Sequence, residues 1–443
     1  VFAMATGTGK TITALNCLLS EYKICKDSNS YKAVILVPTI SLVLQWEQEC
    51  KKFNFRNIIC VSSKYKWDDN LAFFNTKSKL LGDTSFIVIA TYASFVGKKF
   101  QTQFNALPEE TILIADEAHN LGSPGIIKIL QNIKLKKRIG LSATPDRKYD
   151  EIGNDHINRF FNDKPPYVFS FSMGEALDKK WLCPYKYYPH IVYLTVSEQD
   201  EYGKISKQLM KFFDTNTGKY KSHASVELLL LKRKRIIHKA SNKLEAFKEI
   251  LKEEYKKRGN LDYTLVYVPE GLERDYSDVD HYDDTDDEDK RLIDEFTRAV
   301  RDIDDEIMVT QFTSNSKDRT DILKKYENGE LHVLTSMKCL DEGVDIPRSE
   351  LAIFCASSGN PRQFVQRRGR VLRNHHNKNY ATIHDLVVIP NINSDETSFQ
   401  MQQNLVKTEL ARVTDFAKLA MNKTISYQKL KEVIDIYGLN LEY

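Results

Sequence analysis

The sequence has no apolar run that approaches the roughly 18 consecutive residues needed to cross a membrane as a helix. Its seven cysteines are scattered and include no CxxC pair. A structural zinc site or a disulfide framework is therefore not expected, and a reducing, cytoplasmic compartment fits this cysteine usage best. With 42% hydrophobic residues, the chain has enough apolar side chains for more than one core.

The sequence also has no large excess of positive or negative charge. It contains 64 Lys and Arg residues and 61 Asp and Glu residues, for a net charge of +3. This balance excludes a uniformly basic coat protein and a wholly acidic disordered chain. It does not exclude nucleic-acid binding, because a groove can be basic while the total is neutral. Nine acidic residues fall within positions 275–289, which we expect to form an exposed, disordered insertion.

The chain begins without Met, and its first residues run directly into a glycine-containing loop. A secretory signal would need a basic segment and a cleavage site, and the sequence shows neither pattern. We therefore expect Val1 to lie inside a buried strand, with further sequence upstream.

Short, almost continuously apolar runs alternate with amphipathic stretches in the first third of the chain, and the same rhythm returns later. Strands of this kind are buried on both faces, as in parallel sheets covered by helices. The sequence therefore predicts two α/β domains in tandem. The expected strands are 33–37, 58–61, 86–90, 112–115 and 138–141, followed by 264–268, 307–311, 332–335, 351–354 and 382–388.

The region between the two sets of strands is mixed and loop-rich at 165–180, extended at 185–196, and helical at 197–213 and 226–258. The basic run within it is typical either of a solvated helix face or of contact with a phosphate backbone. Near the end of the chain, apolar residues at helical spacing predict a packing helix over 398–422. We expect a first domain over 1–182, a second over 183–390 with a helical linker at 197–259, and a helical extension over 391–443.

A phosphate-binding loop is the clearest local signal. Gly7 and Gly9 let the backbone curl so that its N–H groups point at phosphate oxygens, and the following helix directs its positive end there. Lys10 supplies a charge for the β- and γ-phosphates, and the Thr11 hydroxyl is suited to bind Mg²⁺. One departure is Met4, which stands where the strict pattern has Gly. The segment is Thr6, Gly7, Thr8, Gly9, Lys10 and Thr11.

Two carboxylates follow the apolar strand at 111–115. A carboxylate at the carboxyl end of such a strand lies beside the phosphate loop, so Asp116 is placed to hold Mg²⁺, directly or through water. Glu117 is suited to orient or deprotonate the attacking water. Alone, the pair is also typical of a helix N-terminus. Together with the phosphate loop it predicts hydrolysis of ATP or GTP.

The second α/β domain contains the arginine-rich segment 363–373. On a helix, Gln366, Arg370 and Arg373 share one face. Arginine forks neutralise the charge that spreads over a transferring phosphate. By itself the segment is equally typical of a solvated helix or a phosphate-backbone contact. Combined with a phosphate loop in another domain, it predicts a composite ATP site that opens and closes between the domains.

The motifs occur in the order seen in superfamily 2 helicases: ATGTGKT, VPTISLVLQW, ATYASF, DEAH, SATP, CLDEGVDIP and QFVQRRGRVLR. Over about residues 1–390 the chain resembles the DEAD/DEAH-box branch that includes the motor subunits of type I and type III restriction enzymes and the excision-repair helicases. The last two motifs are more similar to those of the DNA-acting members. The family's adenine-reading element lies upstream of the phosphate-loop strand, so adenine rather than guanine is an inference from the family.

The resemblance implies two tandem RecA-like domains, ATP and Mg²⁺ as nucleotide and metal, and DNA as partner. The implied catalytic residues are Lys10, Asp116, Glu117, Gln366, Arg370 and Arg373, with the last two as candidate arginine fingers. The implied nucleotide contacts are Thr6, Gly7, Thr8, Gly9, Lys10, Thr11, Gly343 and Asp345, and the metal ligands are Thr11 and Asp116. The implied nucleic-acid contacts are Thr39, Gln45, Thr91, Tyr92, Thr313, Thr335 and Ser336.

Three functions stay open on the sequence. The first is an ATP-dependent DNA helicase or translocase that acts in repair or in restriction and phage defence. The second is the motor of a nuclease system whose cutting centre lies upstream or in a partner subunit. The third is an ATP-dependent nucleic-acid sensor or clamp that does not unwind, with an RNA helicase as a further alternative. None of them requires a membrane.

Overall fold

The computed structural model describes residues 1–24, 30–82, 84–147, 150–214, 219–220, 224–269, 287–313, 316, 318–337, 346, 348–356, 361–390 and 396–439. These residues divide into two compact units, one formed by Val1–Leu182 and the other by the described residues from Cys183 onward. Each unit is built around its own sheet of parallel strands with helices packed against it. The predicted α/β class with two parallel sheets is confirmed.

The first unit has seven strands in the order β3-β4-β2-β5-β6-β1-β7. The strands are β1 Phe2–Met4, β2 Lys32–Val37, β3 Ile58–Val61, β4 Phe86–Thr91, β5 Ile112–Asp116, β6 Arg138–Ser142 and β7 Phe169–Phe171. The helices are α1 Lys10–Ile24, α2 Ile40–Lys52, α3 Asp68–Leu81, α4 Tyr92–Val96, α5 Lys98–Phe104, α6 Pro124–Leu130, α7 Glu151–Phe161 and α8 Met173–Asp178, with a 3₁₀ helix at Ala118–Gly122.

Both faces of the first sheet are covered, which explains why its strands are apolar at nearly every position. On β4, Phe86 and Val88 belong to one core cluster, which includes Phe95 of α4 and Phe104 of α5. Ile87, between them, faces the opposite cluster with residues of α1 and α2. Successive side chains of a strand point to opposite faces. A run without polar alternation is therefore the expected signature of a sheet buried on both sides.

The second unit has six parallel strands in the order β12-β13-β11-β14-β15-β8, and a separate two-stranded ribbon of β9 and β10. The strands are β8 Tyr185–Tyr193, β9 Phe213–Asp214, β10 Lys219–Tyr220, β11 Thr264–Tyr267, β12 Val309–Phe312, β13 Val333–Ser336, β14 Leu351–Phe354 and β15 Ala381–Ile389. The helices are α9 Val196–Met210, α10 Ala224–His238, α11 Asn242–Arg258, α12 Asp287–Arg301, α13 Arg319–Asn328, α14 Pro361–Val371, α15 Glu396–Lys418 and α16 Lys423–Ile436.

Three local expectations need correction. The helix predicted over 226–258 is two helices, α10 and α11, and the backbone N–H of Ser241 between them donates to Glu198 Oε1 at 2.8 Å. The loop-rich segment 165–180 contains β7 and α8, and α8 starts with a capping box formed by Ser172 and Glu175. Within the segment predicted to be an acidic loop, positions 287–289 begin α12. Asp289 there is buried and lies 3.1 Å from Lys239 Nζ. Positions 275–286 lie outside the described residues.

The C-terminal helix α15 is joined to the second sheet by a buried ion pair. Arg412 Nη1 donates to Asp385 Oδ2 at 2.5 Å, and the two side chains are 7% and 0% exposed. The Tyr187 hydroxyl donates to the same carboxylate oxygen at 2.7 Å. Buried charges are tolerated only when they are paired and hydrogen-bonded. The helix is therefore fixed to β15 and β8. Among the helices in the described ranges, none is long and apolar enough to cross a membrane.

Replacing Arg412 with Ala is expected to lower the free energy of unfolding by about 3 kcal/mol, because the buried Asp385 carboxylate would lose its cation. Urea unfolding of the whole chain, followed by circular dichroism, measures this loss. Arg291→Ala is the matched control, since Arg291 is 81% exposed and pairs with Glu295 on the surface of α12. That change should cost less than about 1 kcal/mol. Equal losses in the two variants would contradict the role given to the buried pair.

Candidate active site

The phosphate loop connects β1 to α1 at the carboxyl edge of the first sheet. Gly7 and Gly9 have φ angles of +85° and +90°, a backbone conformation that favours glycine. Thr8 Oγ1 donates to the Ala5 carbonyl at 2.7 Å and closes the turn. A Cβ added to Gly9 would meet no atom within 4 Å. Gly9 is therefore required by its φ angle and not by crowding.

Lys10 and the threonines Thr6 and Thr11 lie in the loop and in the first turn of α1. Lys10 Nζ donates to the Met4 carbonyl at 3.4 Å. Thr6 Oγ1 is buried and has no hydrogen-bond partner in the described part of the chain. Thr11 is half-buried in the first turn of α1. An unpaired buried hydroxyl is costly, which suggests that a ligand oxygen satisfies it.

Asp116 is the last residue of β5, and both of its carboxylate oxygens accept a hydrogen bond. Oδ2 accepts from Trp46 Nε1 at 2.9 Å, and Oδ1 accepts from the Glu117 backbone N–H at 3.0 Å. Burial raises the pKa of Asp116, and the positive charge of Lys10 and the hydrogen bond from Trp46 oppose that rise. The site is thus a buried acid whose ionised form depends on its neighbours.

Glu117 has φ 47° and ψ 55°, which is left-handed backbone. A residue other than Gly, Asn or Asp in this region is unusual and strained, and such strain is concentrated at functional sites. The turn separates the two carboxylates, because Asp116 stays on the strand while Glu117 precedes the 3₁₀ helix. Glu117 Oε2 lies 3.5 Å from His119 Nδ1.

His119 connects this acidic turn to the SATP segment. Its Nδ1 is 3.2 Å from Ser142 Oγ, the last residue of β6. Ser142 Oγ also accepts the backbone N–H of Thr144 at 3.2 Å. The Arg147 guanidinium donates to the His119 carbonyl at 3.0 Å. Direct hydrogen bonds therefore join the two segments.

The predicted nucleic-acid residues of the first unit lie at or just beyond the ends of β2 and β4. Thr39 is the N-cap of α2, and its Oγ1 accepts the Leu42 backbone N–H at 3.4 Å. Gln45, on the same helix, is half-buried. Thr91 is buried and caps α4 through Ser94. The Tyr92 hydroxyl is buried and donates to the Asp116 carbonyl at 2.8 Å, so it supports the acidic turn.

In the second unit, the predicted contacts lie at the ends of β12 and β13. Thr335 and Ser336 are the last two residues of β13 and both are buried. The Thr335 hydroxyl lies 2.8 Å from that of Thr297 on α12. Thr313 follows β12, and its backbone N–H donates to Ser316 Oγ at 2.9 Å.

The arginine-rich segment forms α14 and its exit. Gln366 and Arg370 lie one turn apart on the helix, and both are buried. Arg373 lies two residues beyond the end of α14, and its backbone N–H donates to the Arg370 carbonyl at 3.3 Å. The helical face predicted for all three residues is therefore correct only for the first two. Gly343 and Asp345 lie outside the described residues.

Helix α15 holds α14 through contacts that the sequence did not predict. Arg368 Nη2 donates to Asp415 Oδ2 at 2.9 Å, and its guanidinium lies 4.1 Å from the Phe416 ring centroid. The Arg412 guanidinium lies 3.8 Å from the ring centroid of Phe364 on α14. Each is a cation over an aromatic face, which is attractive when desolvated. The sequence does not reveal this packing, because the arginine-rich segment does not show which side chains it will contact.

Two protein families match the chain. "Type III restriction enzyme, res subunit" matches residues 1–147, and "Helicase conserved C-terminal domain" matches residues 287–375. The first match contains the phosphate loop and the Asp116 turn, and the second contains the arginine helix α14.

Among individual proteins, the chain is 26% identical over 391 residues to "DNA 3'-5' translocase XPB2" of Sulfurisphaera tokodaii, covering 84% of this chain and 74% of the relative. It is 22% identical to "Putative ATP-dependent helicase IRC3" of Saccharomyces cerevisiae, covering 97% of this chain and 54% of the relative. It is 23% identical to "Putative DNA 3'-5' helicase Rad25" of Haloarcula marismortui, covering 84% and 47%. The chain thus spans about half the length of the last two.

Solved structures share the fold. A type ISP restriction-modification enzyme, LlaBIII bound to DNA, aligns with a TM-score of 0.58 at 17% identity over 99% of this chain and 31% of that one. A fragment of a putative HsdR subunit of a type I restriction enzyme from Vibrio vulnificus aligns with a TM-score of 0.54 at 17% identity, over 87% of this chain and 59% of that one.

The motif residues and the two family matches support the assignment of the chain to the superfamily 2 helicases, a class of motor driven by ATP hydrolysis. Within this class it is similar to the restriction-enzyme res subunit and to the XPB2 translocase. The resemblance inferred from the motifs is confirmed.

Glu117→Gln is expected to bind ATP with unchanged affinity but to hydrolyse it at least 100-fold more slowly, because an amide cannot accept a proton from water. The matched control is Glu110→Gln, since Glu110 lies near β5 but pairs with Lys32 at 2.7 Å away from the loop. Single-turnover hydrolysis and binding of a fluorescent ATP analogue separate the two effects. Hydrolysis by Glu117→Gln at the parent rate would show that Glu117 is not the water-activating group.

Proposed function

We propose that this chain is the motor of an ATP-dependent DNA helicase or translocase that acts in repair or in restriction and phage defence. The observation that carries the proposal is the buried Asp116 carboxylate beside Lys10 and the phosphate loop, in a fold shared with restriction motors. Three relatives or neighbours are described by their names as a DNA translocase, as a DNA helicase, or as bound to DNA.

ATP use follows from the family, and we infer that Mg²⁺ accompanies it. The residues fit both groups, since the loop holds an unpaired buried hydroxyl at Thr6, and a carboxylate and a hydroxyl are hard oxygen donors. Thr11 and Asp116 would hold the metal. When bound, Mg²⁺ neutralises charge on the phosphate oxygens.

The residues of the chain would then have separate roles in ATP hydrolysis. Lys10 binds the terminal phosphates as a point charge, and Glu117 orients the attacking water and accepts its proton. In the second unit, Arg370 and Arg373 would neutralise the charge that develops on the transferred phosphate, and Gln366 would assist them. We also keep Gly343 and Asp345 as candidate contacts to the ribose and the arginines.

Nucleic acid would be held through its backbone, which makes binding independent of sequence. We assign this role to hydroxyl and amide side chains at the ends of parallel strands in both units. The proposed contacts are Thr39, Gln45, Thr91, Tyr92, Thr313, Thr335 and Ser336. Because Thr91, Tyr92, Thr335 and Ser336 are buried, their contribution would be to fix the backbone N–H groups around them. A nuclease domain or partner subunit that uses the motor is part of this proposal.

Single-stranded or duplex DNA is expected to raise the rate of ATP hydrolysis at least tenfold, because the binding energy of a correct substrate is used to complete the catalytic site in enzymes that work by induced fit. To identify the nucleic acid on which the motor acts, we compare the rates of ATP hydrolysis with single-stranded DNA, with duplex DNA, with RNA and without nucleic acid. Strand displacement on tailed duplexes then separates unwinding from translocation. Stimulation by RNA alone would support an RNA helicase, and stimulation by no nucleic acid would contradict every motor function.

Arg370→Ala should leave ATP binding within about twofold while lowering the DNA-stimulated hydrolysis rate by roughly 10³-fold, the range known for arginine fingers. Arg291→Ala, an exposed arginine of the same unit, is the control and should change neither quantity. Unchanged turnover in Arg370→Ala would remove the second unit's arginines from the catalytic site.

A further inference from the structure

Within the part of the chain that the structure describes, the buried indole of Trp46 donates one hydrogen bond, and its acceptor is the proposed metal-binding carboxylate. Trp46 lies in the middle of α2, is 1% exposed, and belongs to the core cluster that contains Leu15 and Leu18 of α1. Its Nε1 donates to Asp116 Oδ2 at 2.9 Å. An indole N–H is a donor only and cannot exchange roles.

The helix that carries Trp46 begins at the proposed nucleic-acid track. Thr39 is the N-cap of α2, and Gln45 immediately precedes Trp46. A helix of 13 residues moves as a rigid body, and Trp46 cannot rotate freely because it is packed on all sides. We therefore expect a displacement at the start of α2 to change the distance or angle of the Trp46 to Asp116 hydrogen bond.

Asp116 is unusually dependent on that hydrogen bond. Its other oxygen is fixed by the Glu117 backbone N–H at 3.0 Å, so Trp46 sets the remaining rotation of the carboxylate plane. Outer hydrogen-bond partners orient the side chains that bind metals, and their loss weakens metal binding by about 10- to 100-fold. The indole thus has the position and the chemistry of such a partner.

We propose that Trp46 is a positioning residue that holds Asp116 in its Mg²⁺-binding orientation and couples that orientation to nucleic acid bound at the start of α2. This inference rests on the proposed function, since it takes Asp116 as the metal ligand and Thr39 and Gln45 as track residues. Under this proposal, the Trp46 side chain is the physical connection between the nucleic-acid track and the nucleotide site within the first unit.

Trp46→Phe tests the inference because it removes the N–H donor and keeps an aromatic ring in the core. We measure binding of a fluorescent, non-hydrolysable ATP analogue over a range of Mg²⁺ concentrations, with and without single-stranded DNA. The half-saturating Mg²⁺ concentration should rise about tenfold in the variant. DNA should lower this concentration in the parent protein and leave it unchanged in Trp46→Phe.

Val43→Ala is the matched control, since Val43 is on the same helix, is 0% exposed and lies in the same core cluster, but has no polar atom. It loses packing and keeps the indole hydrogen bond, so its Mg²⁺ dependence should stay within about twofold of the parent. Equal behaviour of the two variants, or an unchanged Mg²⁺ dependence in Trp46→Phe, overturns the inference. A parent protein that binds no analogue and shows no stimulation by DNA would instead refute the proposed function.

A second measurement leaves Trp46 in place and does not depend on how Trp46→Phe folds. The chain has three tryptophans, so Trp67→Phe combined with Trp181→Phe leaves Trp46 as the single indole. Its emission should change when Mg²⁺ is added to the protein loaded with the analogue, because the carboxylate beside the indole then shares its charge with the metal. Constant emission would show that Trp46 does not sense the metal site.

Discussion

A carboxylate buried inside the protein is the constraint on which the arrangement of the first unit depends. Asp116 is buried at the end of β5, where desolvation favours its neutral form. Three elements supply the compensation: Lys10 from the phosphate loop, the indole N–H of Trp46 from α2, and the backbone N–H of Glu117. Each of them is delivered by a different crossover of the parallel sheet. The order of the strands thus places the groups that favour the ionised form of this acid.

In the second unit many of the buried charges are positive, because several of its arginines are buried. Arg412 is paired with Asp385, and Arg368 with Asp415, while aromatic rings at Phe364 and Phe416 cover the guanidinium faces. Helix α15 supplies much of this compensation and lies outside the segment that matches the family. The contacts of α15 with Arg368 and Phe364 therefore give this C-terminal helix a structural role in holding α14.

Much of the fold could be predicted because the signals are local. The apolar run at 86–90 became β4 with one residue added, and the run at 307–311 became β12 shifted to Val309–Phe312. The phosphate loop and the Asp116 turn were found because their residue types are required by phosphate chemistry at fixed spacing. Trp46 was missed, since a tryptophan at helical spacing is usually core and its partner is remote in sequence. The break before α11 depends on a tertiary contact from Glu198, which has no local signature.

The left-handed backbone at Glu117 limits which substitutions can be interpreted chemically. Asn, Asp and Gly reach this conformation at low cost, and an unbranched Gln resembles the native residue, whereas Val, Ile or Thr would strain the turn through Cβ. A β-branched residue here would displace His119 and Ser142 as well as remove the acid. Under the proposed function, position 117 therefore has to satisfy both the backbone shape of the turn and the transfer of a proton. The set of residues tolerated at position 117 is therefore expected to be narrower than the need for a general base alone would allow.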